Sequence, residues 1–301
     1  MKQISRYIMI SFLAVAALCG CKERYVTYDD AEYVMFADTL AVYPVQQDVE
    51  YFSIPVVSTV TRDYDRTFGV EIIDKGSNAI ENLHYRLQSN TVTIKAGENR
   101  ADVQVHGIYD NIDAKDSLGF QLRLVMNDKL VMPLYGKDTK AVMMKSCPFD
   151  INNFTGYCML TSMFLYQYSI TGKYQRLIET CVHPTEKNMI ICKNWMADGY
   201  DVTMTFHPED PMKPFVTMDS DQVMSDEGSF FGQTHGDDKI LVESSPYYDS
   251  IFYPCGSYLY VYAHVYVENL GQTVGTVGHF YNIMEWISDE EAERLKREEG
   301  M

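Results

Sequence analysis

The stretch Ser257-Tyr258-Leu259-Tyr260-Val261-Tyr262-Ala263-His264-Val265-Tyr266-Val267 alternates without a break. Period-two alternation marks a β-strand, because successive side chains leave opposite faces of the pleat. Leu259, Val261, Ala263, Val265 and Val267 share one face and read as core. Tyr258, Tyr260, Tyr262, His264 and Tyr266 share the other. A rise near 3.4 Å per residue sets these rings about 7 Å apart. Such a row is suited to stacking sugars or gripping a partner protein, so these five residues are the candidate binding face. The alternative is that they lie covered by the C-terminal helix or by another domain.

The same alternation extends outward from this strand. Residues 174–182, 189–192, 202–206 and 215–218 read as strands of an antiparallel meander, with hairpin chemistry at Thr171-Gly172-Lys173 and Ala197-Asp198-Gly199. A second sandwich or a barrel follows from that pattern. Upstream, Phe52, Ile54 and Val56 alternate with polar or small partners, as do Phe68, Val70 and Ile72, then Ala101, Val103 and Val105, then Leu118, Phe120, Leu122 and Leu124. Short strands separated by turns predict a β-sandwich. Pro55 belongs at a sheet edge or a strand start. Between the two regions, Lys145-Ser146-Cys147-Pro148-Phe149-Asp150 marks a boundary, since Pro148 disfavours helix at Cys147.

The chain closes with a helix. Ser288 and Glu291 form a capping box, and Asp289 and Glu290 suit the positive end of the helix dipole. Ala292 and Leu295 are its apolar points, so it reads as short and solvated. The fold class is all-β, an Ig-like sandwich followed by a second antiparallel sandwich or barrel and a short C-terminal helix. The segments are 1–20 as signal, 21–31 as tether, 32–145 as sandwich, 146–286 as antiparallel β domain and 287–301 as helix.

The chain carries 25 basic and 42 acidic residues, a net charge of −17. It repels phosphate backbones, which excludes a nucleic-acid partner. Tyrosines number 23 against two tryptophans, and Tyr favours strands and half-wet surfaces.

At the N-terminus, Lys2 and Arg6 precede an apolar run over 8–18 that Ser11 alone interrupts. A membrane span needs about 20 residues, so this run is a signal segment. Leu18-Cys19-Gly20-Cys21 resembles a bacterial lipobox. The resemblance implies that Cys21 is acylated and holds the chain to the lipid bilayer, with more than one acyl chain for a stable anchor. Lys22-Glu23 resembles the export signal behind the acylated cysteine of surface-exposed Bacteroidetes lipoproteins, which implies an outer-membrane location.

Two further resemblances bear on the fold. His84-Tyr85, the run from Thr91 to Glu98, Val103 and Val105, and Phe120-Gln121-Leu122-Arg123-Leu124 resemble the strand order of Calx-beta-like domains over about a third of the chain. Some of those domains bind calcium through clustered loop aspartates; no such run is present here, and calcium is not carried over. Phe154-Thr155-Gly156-Tyr157 opening the meander, taken with the lipobox, resembles two-domain surface lipoproteins of Bacteroidetes, a family with no biochemical role to transfer.

Five cysteines follow Cys21, and an exported chain permits disulfides. Cys181 and Cys192 flank a hairpin centred on Glu186 and Lys187, which sets them opposite each other within disulfide range. Cys147 and Cys158 have the same spacing around Asn152 and Asn153. Both pairs are candidate disulfides, with buried free thiols as the alternative. An odd count leaves at least one thiol without an intrachain partner.

Reaction signatures are missing. There is no G-x-S-x-G elbow, no phosphate-binding glycine loop and no zinc core motif around Cys181, His183 and Cys192. No catalytic residue, metal or cofactor is assigned. The expectation is a non-catalytic, membrane-anchored accessory module that binds a glycan or a surface protein. An exported carboxylate-dependent hydrolase and a fimbria-like assembly component remain as alternatives.

Overall fold

A computed structural model describes residues 31–299. The signal segment, Cys21 and the tether through residue 30 lie outside the described residues. The chain is all-β, with short helices.

The first half forms two facing sheets. One holds β1 (Val34–Phe36), β3 (Phe52–Ser58), β7 (Arg100–Gly107) and β5 (Tyr85–Leu87) in the order β1-β3-β7-β5. The other holds β2 (Leu40–Val45), β9 (Asp138–Lys145), β8 (Leu118–Val125), β4 (Arg66–Ile73) and β6 (Thr91–Ile94) in the order β2-β9-β8-β4-β6. Pairing is antiparallel except for β2 beside β9. The alternating apolar residues meet between the sheets, where Tyr85 stacks on Phe120 with centroids 3.9 Å apart. Pro55 sits inside β3 rather than at a sheet edge; its carbonyl still accepts the Ala37 N–H at 2.9 Å, and its missing N–H costs only the return bond of that pair, at the point where β1 ends.

The second half is a closed barrel. Its strands are β10 (Gly156–Ser162), β11 (Gln175–Val182), β12 (Met189–Lys193), β13 (Val202–His207), β14 (Phe215–Thr217), β17 (Ser250–Tyr253), β18 (Tyr258–Asn269) and β19 (Gln272–Trp286). Each pairs antiparallel with the next, and β19 also pairs with β10, which closes the ring. β15 (Gln222–Ser225) and β16 (Ile240–Ser244) extend the sheet from the far half of β18. A barrel of eight strands is just wide enough to be filled by its own side chains. Leu259, Val261, Ala263 and Val265 point inward and are buried, with Met204, Phe206, Phe252 and Met284 from other strands.

Aromatic side chains close both ends. Phe149, Phe154, Phe206 and Phe252 pack together at one end. At the other, α1 (Met163–Tyr168) lays Phe164 against Phe280; Ser162 caps it by accepting from the N–H groups of Phe164 and Leu165. Near it, α2 (Glu227–Phe231) buries a carboxylate: Glu227 accepts the N–H groups of His235, Gly236 and Asp238 and so pins the following loop.

The C-terminal helix, α3 (Asp289–Glu299), is less solvated than its polar sequence suggests. Ala292 and Leu295 are both buried. Lys296 donates to the Tyr157 hydroxyl at 2.9 Å and lies 4.0 Å over its ring. Ser288 accepts the Glu291 N–H, while the Glu291 carboxylate pairs with Arg294 instead of completing the box.

The cysteine expectations need correction. Cys147 is bonded to Cys255, and Cys158, Cys181 and Cys192 are free. The hairpin pairs Cys181 with Ile191 and Cys192 with Thr180. Asn188 takes positive φ in the turn, and the register moves by one residue from the symmetric one. A one-residue slip sends side chains to opposite faces: Cys192 lies in the barrel core and Cys181 outside it. Cys158 is equally buried, its expected partner Cys147 is taken by Cys255, and burial pushes both core thiols up. Among the described residues no helix is long and apolar enough to cross a membrane.

Candidate functional site

β18 sends its aliphatic side inward, which leaves Tyr258, Tyr260, Tyr262 and His264 half-buried on the outer wall. α3 does not cover them, since it docks at Tyr157 on β10, two strands away. Tyr266 departs from the row. It is buried, donates to the Asp221 carboxylate at 2.9 Å and accepts the Asp221 N–H at 3.1 Å. Burial, with the carboxylate beside it, pushes its phenol up to about 12.

The row is not a flat platform. Tyr281 of β19 sits between Tyr260 and Tyr262, with centroids 5.5 and 5.0 Å away. Tyr253 of β17 stacks on Tyr258 at 4.6 Å and 22°. Tyr248 leans on Tyr262 at 5.1 Å. Tyr253 and Tyr258, and Tyr260 and Tyr281, spend ring faces on one another. The most exposed rings lie at the margins. Burial, reinforced by Tyr260 and Tyr262, pushes the Tyr281 phenol up to about 12.

The margins come from residues outside the alternating stretch. Tyr247 is 73% exposed, Tyr248 58% and Tyr253 39%. The first two lie in the loop before β17, which Ser245 anchors by donating its N–H to the Tyr262 carbonyl at 2.9 Å. The pair Tyr247-Tyr248 behind Pro246 was the visible sign of this loop. Tyr281 had none, because around it the inner face carries Asn282 beside Phe280 and Met284 while the outer face carries Ile283, so apolar and polar residues do not alternate.

His264 closes one end of the row. Its Nδ1 lies 2.8 Å from the Glu243 carboxylate and its Nε2 lies 3.1 Å from the Thr276 hydroxyl. His279 stacks on it at 4.7 Å and meets the Ser245 hydroxyl at 3.2 Å through Nδ1. Serine and carboxylate therefore bond to different imidazoles that touch through their faces. A proton relay needs one imidazole between them. Among the described residues no three His, Cys, Asp or Glu side chains are placed to share a metal ion. Cys181 and Cys192 point to opposite sides of the sheet, which excludes them as joint ligands.

Solved structures similar to the chain include the apo Calx CBD1 domain, at 14% identity and TM-score 0.31, covering 38% of this chain and 98% of that one. An auxiliary nutrient binding protein from Bacteroides thetaiotaomicron matches at 15% identity and TM-score 0.31, covering 82% and 91%. A protein of unknown function from Bacteroides ovatus matches at 11% and 0.33, covering 84% and 89%. No curated protein matches the chain. The model of a domain of unknown function, DUF4984, matches residues 134–298, more than half of the sequence and all of the barrel, and the chain belongs to that family.

Proposed function

We propose that the chain is a non-catalytic binding module of the outer membrane, held to the bilayer through acylated Cys21, that recognises a glycan with the aromatic wall of its barrel. The exposed rim of Tyr247, Tyr248 and Tyr253 around a row of mutually packed tyrosine rings carries the proposal. Stacked rings supply rigid apolar area, and their hydroxyls match a polyhydroxylated ligand. The barrel interior is filled by its own side chains, so a ligand meets the outside. The net charge of −17 favours neutral glycans over acidic ones. The sandwich domain at 32–145 then serves as a spacer between anchor and barrel.

Affinity electrophoresis through gels containing neutral polysaccharides tests the binding. The wild type is expected to be retarded by at least one, and a Tyr247→Ala/Tyr248→Ala variant to run freely. Equal retardation of the two sinks the role of the rim. For the anchor, Cys21→Ser is expected to abolish fatty-acid labelling and release the protein from the membrane fraction.

A further inference from the structure

We propose that the cavity between Tyr281 on one side and Tyr166 and Tyr174 on the other is a subsite for one neutral pyranose ring at the end of a glycan chain; this rests on the glycan reading above and adds where and how the chain end is held. The cavity encloses about 410 Å³, at the small end of the range of about 300–1,000 Å³ for ligand sites. Its floor is Thr161 and Ile283, directly paired neighbours on β10 and β19.

Tyr281 has one face engaged by Tyr260 and Tyr262 on the β18 side. Its other side borders the cavity over β10. The opposite wall is built differently. Tyr166 is 67% exposed and Tyr174 48% exposed, and they meet edge to face at 6.4 Å. A flat ring entering from solvent therefore finds aromatic surface on both flanks, the geometry in which the C–H face of a sugar is desolvated.

The polar groups suit a neutral polyol. No charged side chain lines the cavity. Thr161 Oγ1 accepts from the Gln175 amide at 3.1 Å, which leaves its own proton to donate. The three phenols add donor and acceptor edges. A cation would gain from the rings but would leave these hydroxyls without partners. Because Tyr281 belongs both to this cavity and to the ladder, a chain end seated here would continue along the ladder toward Tyr253.

The test uses the full chain carrying Cys21→Ser and saturation-transfer NMR with the methyl glycosides of glucose, galactose, mannose, xylose and N-acetylglucosamine. Tetramethylammonium serves as the cation probe. At least one glycoside is expected to receive saturation, with about tenfold weaker affinity in Tyr166→Ala and Tyr174→Ala. Tyr64→Ala, which removes an exposed ring of the sandwich, should leave this signal unchanged. Both cavity residues are exposed, so an unaltered melting temperature shows that the variants fold. Wild-type affinity in both cavity variants overturns the subsite. Saturation of tetramethylammonium in place of any glycoside overturns it too. If polysaccharide retardation in gels survives these outcomes, the ladder reading stands without the subsite; if retardation is absent as well, both fall.

Discussion

Cys147 and Cys255, 108 positions apart in the chain, are joined by a disulfide with Cα atoms 5.2 Å apart. One partner leaves the last strand of the sandwich, and the other lies in the turn between β17 and β18, below the tyrosine row. The bond ties the entry of the barrel to its aromatic wall.

Closing a loop of this length removes much of the freedom of the unfolded chain. A Cys147→Ser/Cys255→Ser variant is expected to lose about 2–4 kcal/mol in urea unfolding. The far-UV spectrum should be kept, because neither core depends on the bond. Reductant should reproduce the loss in the wild type and leave the variant unchanged.

The sandwich carries its own pH dependence. Burial alone would raise the Glu32 carboxyl, but Arg66 at 2.7 Å and Arg62 at 2.9 Å outweigh it and hold it below the usual carboxylate range. With a folded pKa below the unfolded one, the pair stabilises fully above about pH 4.3. That contribution is lost as pH falls through the folded value. Urea midpoints from pH 6 to 3 are expected to fall less steeply in Glu32→Gln than in the wild type. The variant should also start about 1–3 kcal/mol lower at pH 6.

Glu227 is fully buried and accepts three backbone N–H groups from residues 235, 236 and 238. Glu227→Ala strands those donors and is expected to cost about 2–3 kcal/mol. Hydrogen exchange should locate the effect, with amides of 232–238 losing protection first.

On the proposed glycan reading, the tyrosines of the wall divide between stability and recognition. Tyr260 stacks on Tyr281 and meets Tyr253 and Tyr258, so Tyr260→Ala is expected to cost about 1–2 kcal/mol of stability. Tyr247→Ala and Tyr248→Ala remove exposed rings and should stay within about 0.5 kcal/mol of wild type. Thermal unfolding of the three variants beside gel retardation distinguishes the two roles.

At the end of the row, desolvation and the neighbouring His264 both lower the His279 imidazole from its ordinary value near 6.5. His279 therefore stays neutral to a lower pH than a free imidazole. Removing the like charge with His264→Gln is expected to raise its titration midpoint part of the way back, followed by NMR of the ring carbons. An unchanged midpoint would show that His264 contributes nothing.

Local physics settled much of the architecture in advance. Alternation at 257–267 predicts both the strand and its buried side, since a pleat leaves neighbouring side chains no other choice. Alternation could not reveal β19, whose residues 272–276 are all exposed and whose second half places Asn282 on the inner face. It also could not settle the register around Cys181, which depends on the backbone taken by Asn188 in the turn. At the candidate site, Tyr258, Tyr260, Tyr262 and His264 were legible. Tyr253, Tyr281, Tyr247 and Tyr248 were not, because each reaches the row from another strand or loop.

Sequence by itself determined the all-β class, the apolar inner face of β18 and the one-sided line of tyrosines, all consequences of period two. Only the tertiary structure decided that the second sheet closes into a filled barrel, that Cys147 pairs with Cys255, and that the tyrosine rings turn their faces to each other. Those outcomes depend on contacts between residues far apart in the chain, and the periodicity of a single strand holds no information about its neighbours.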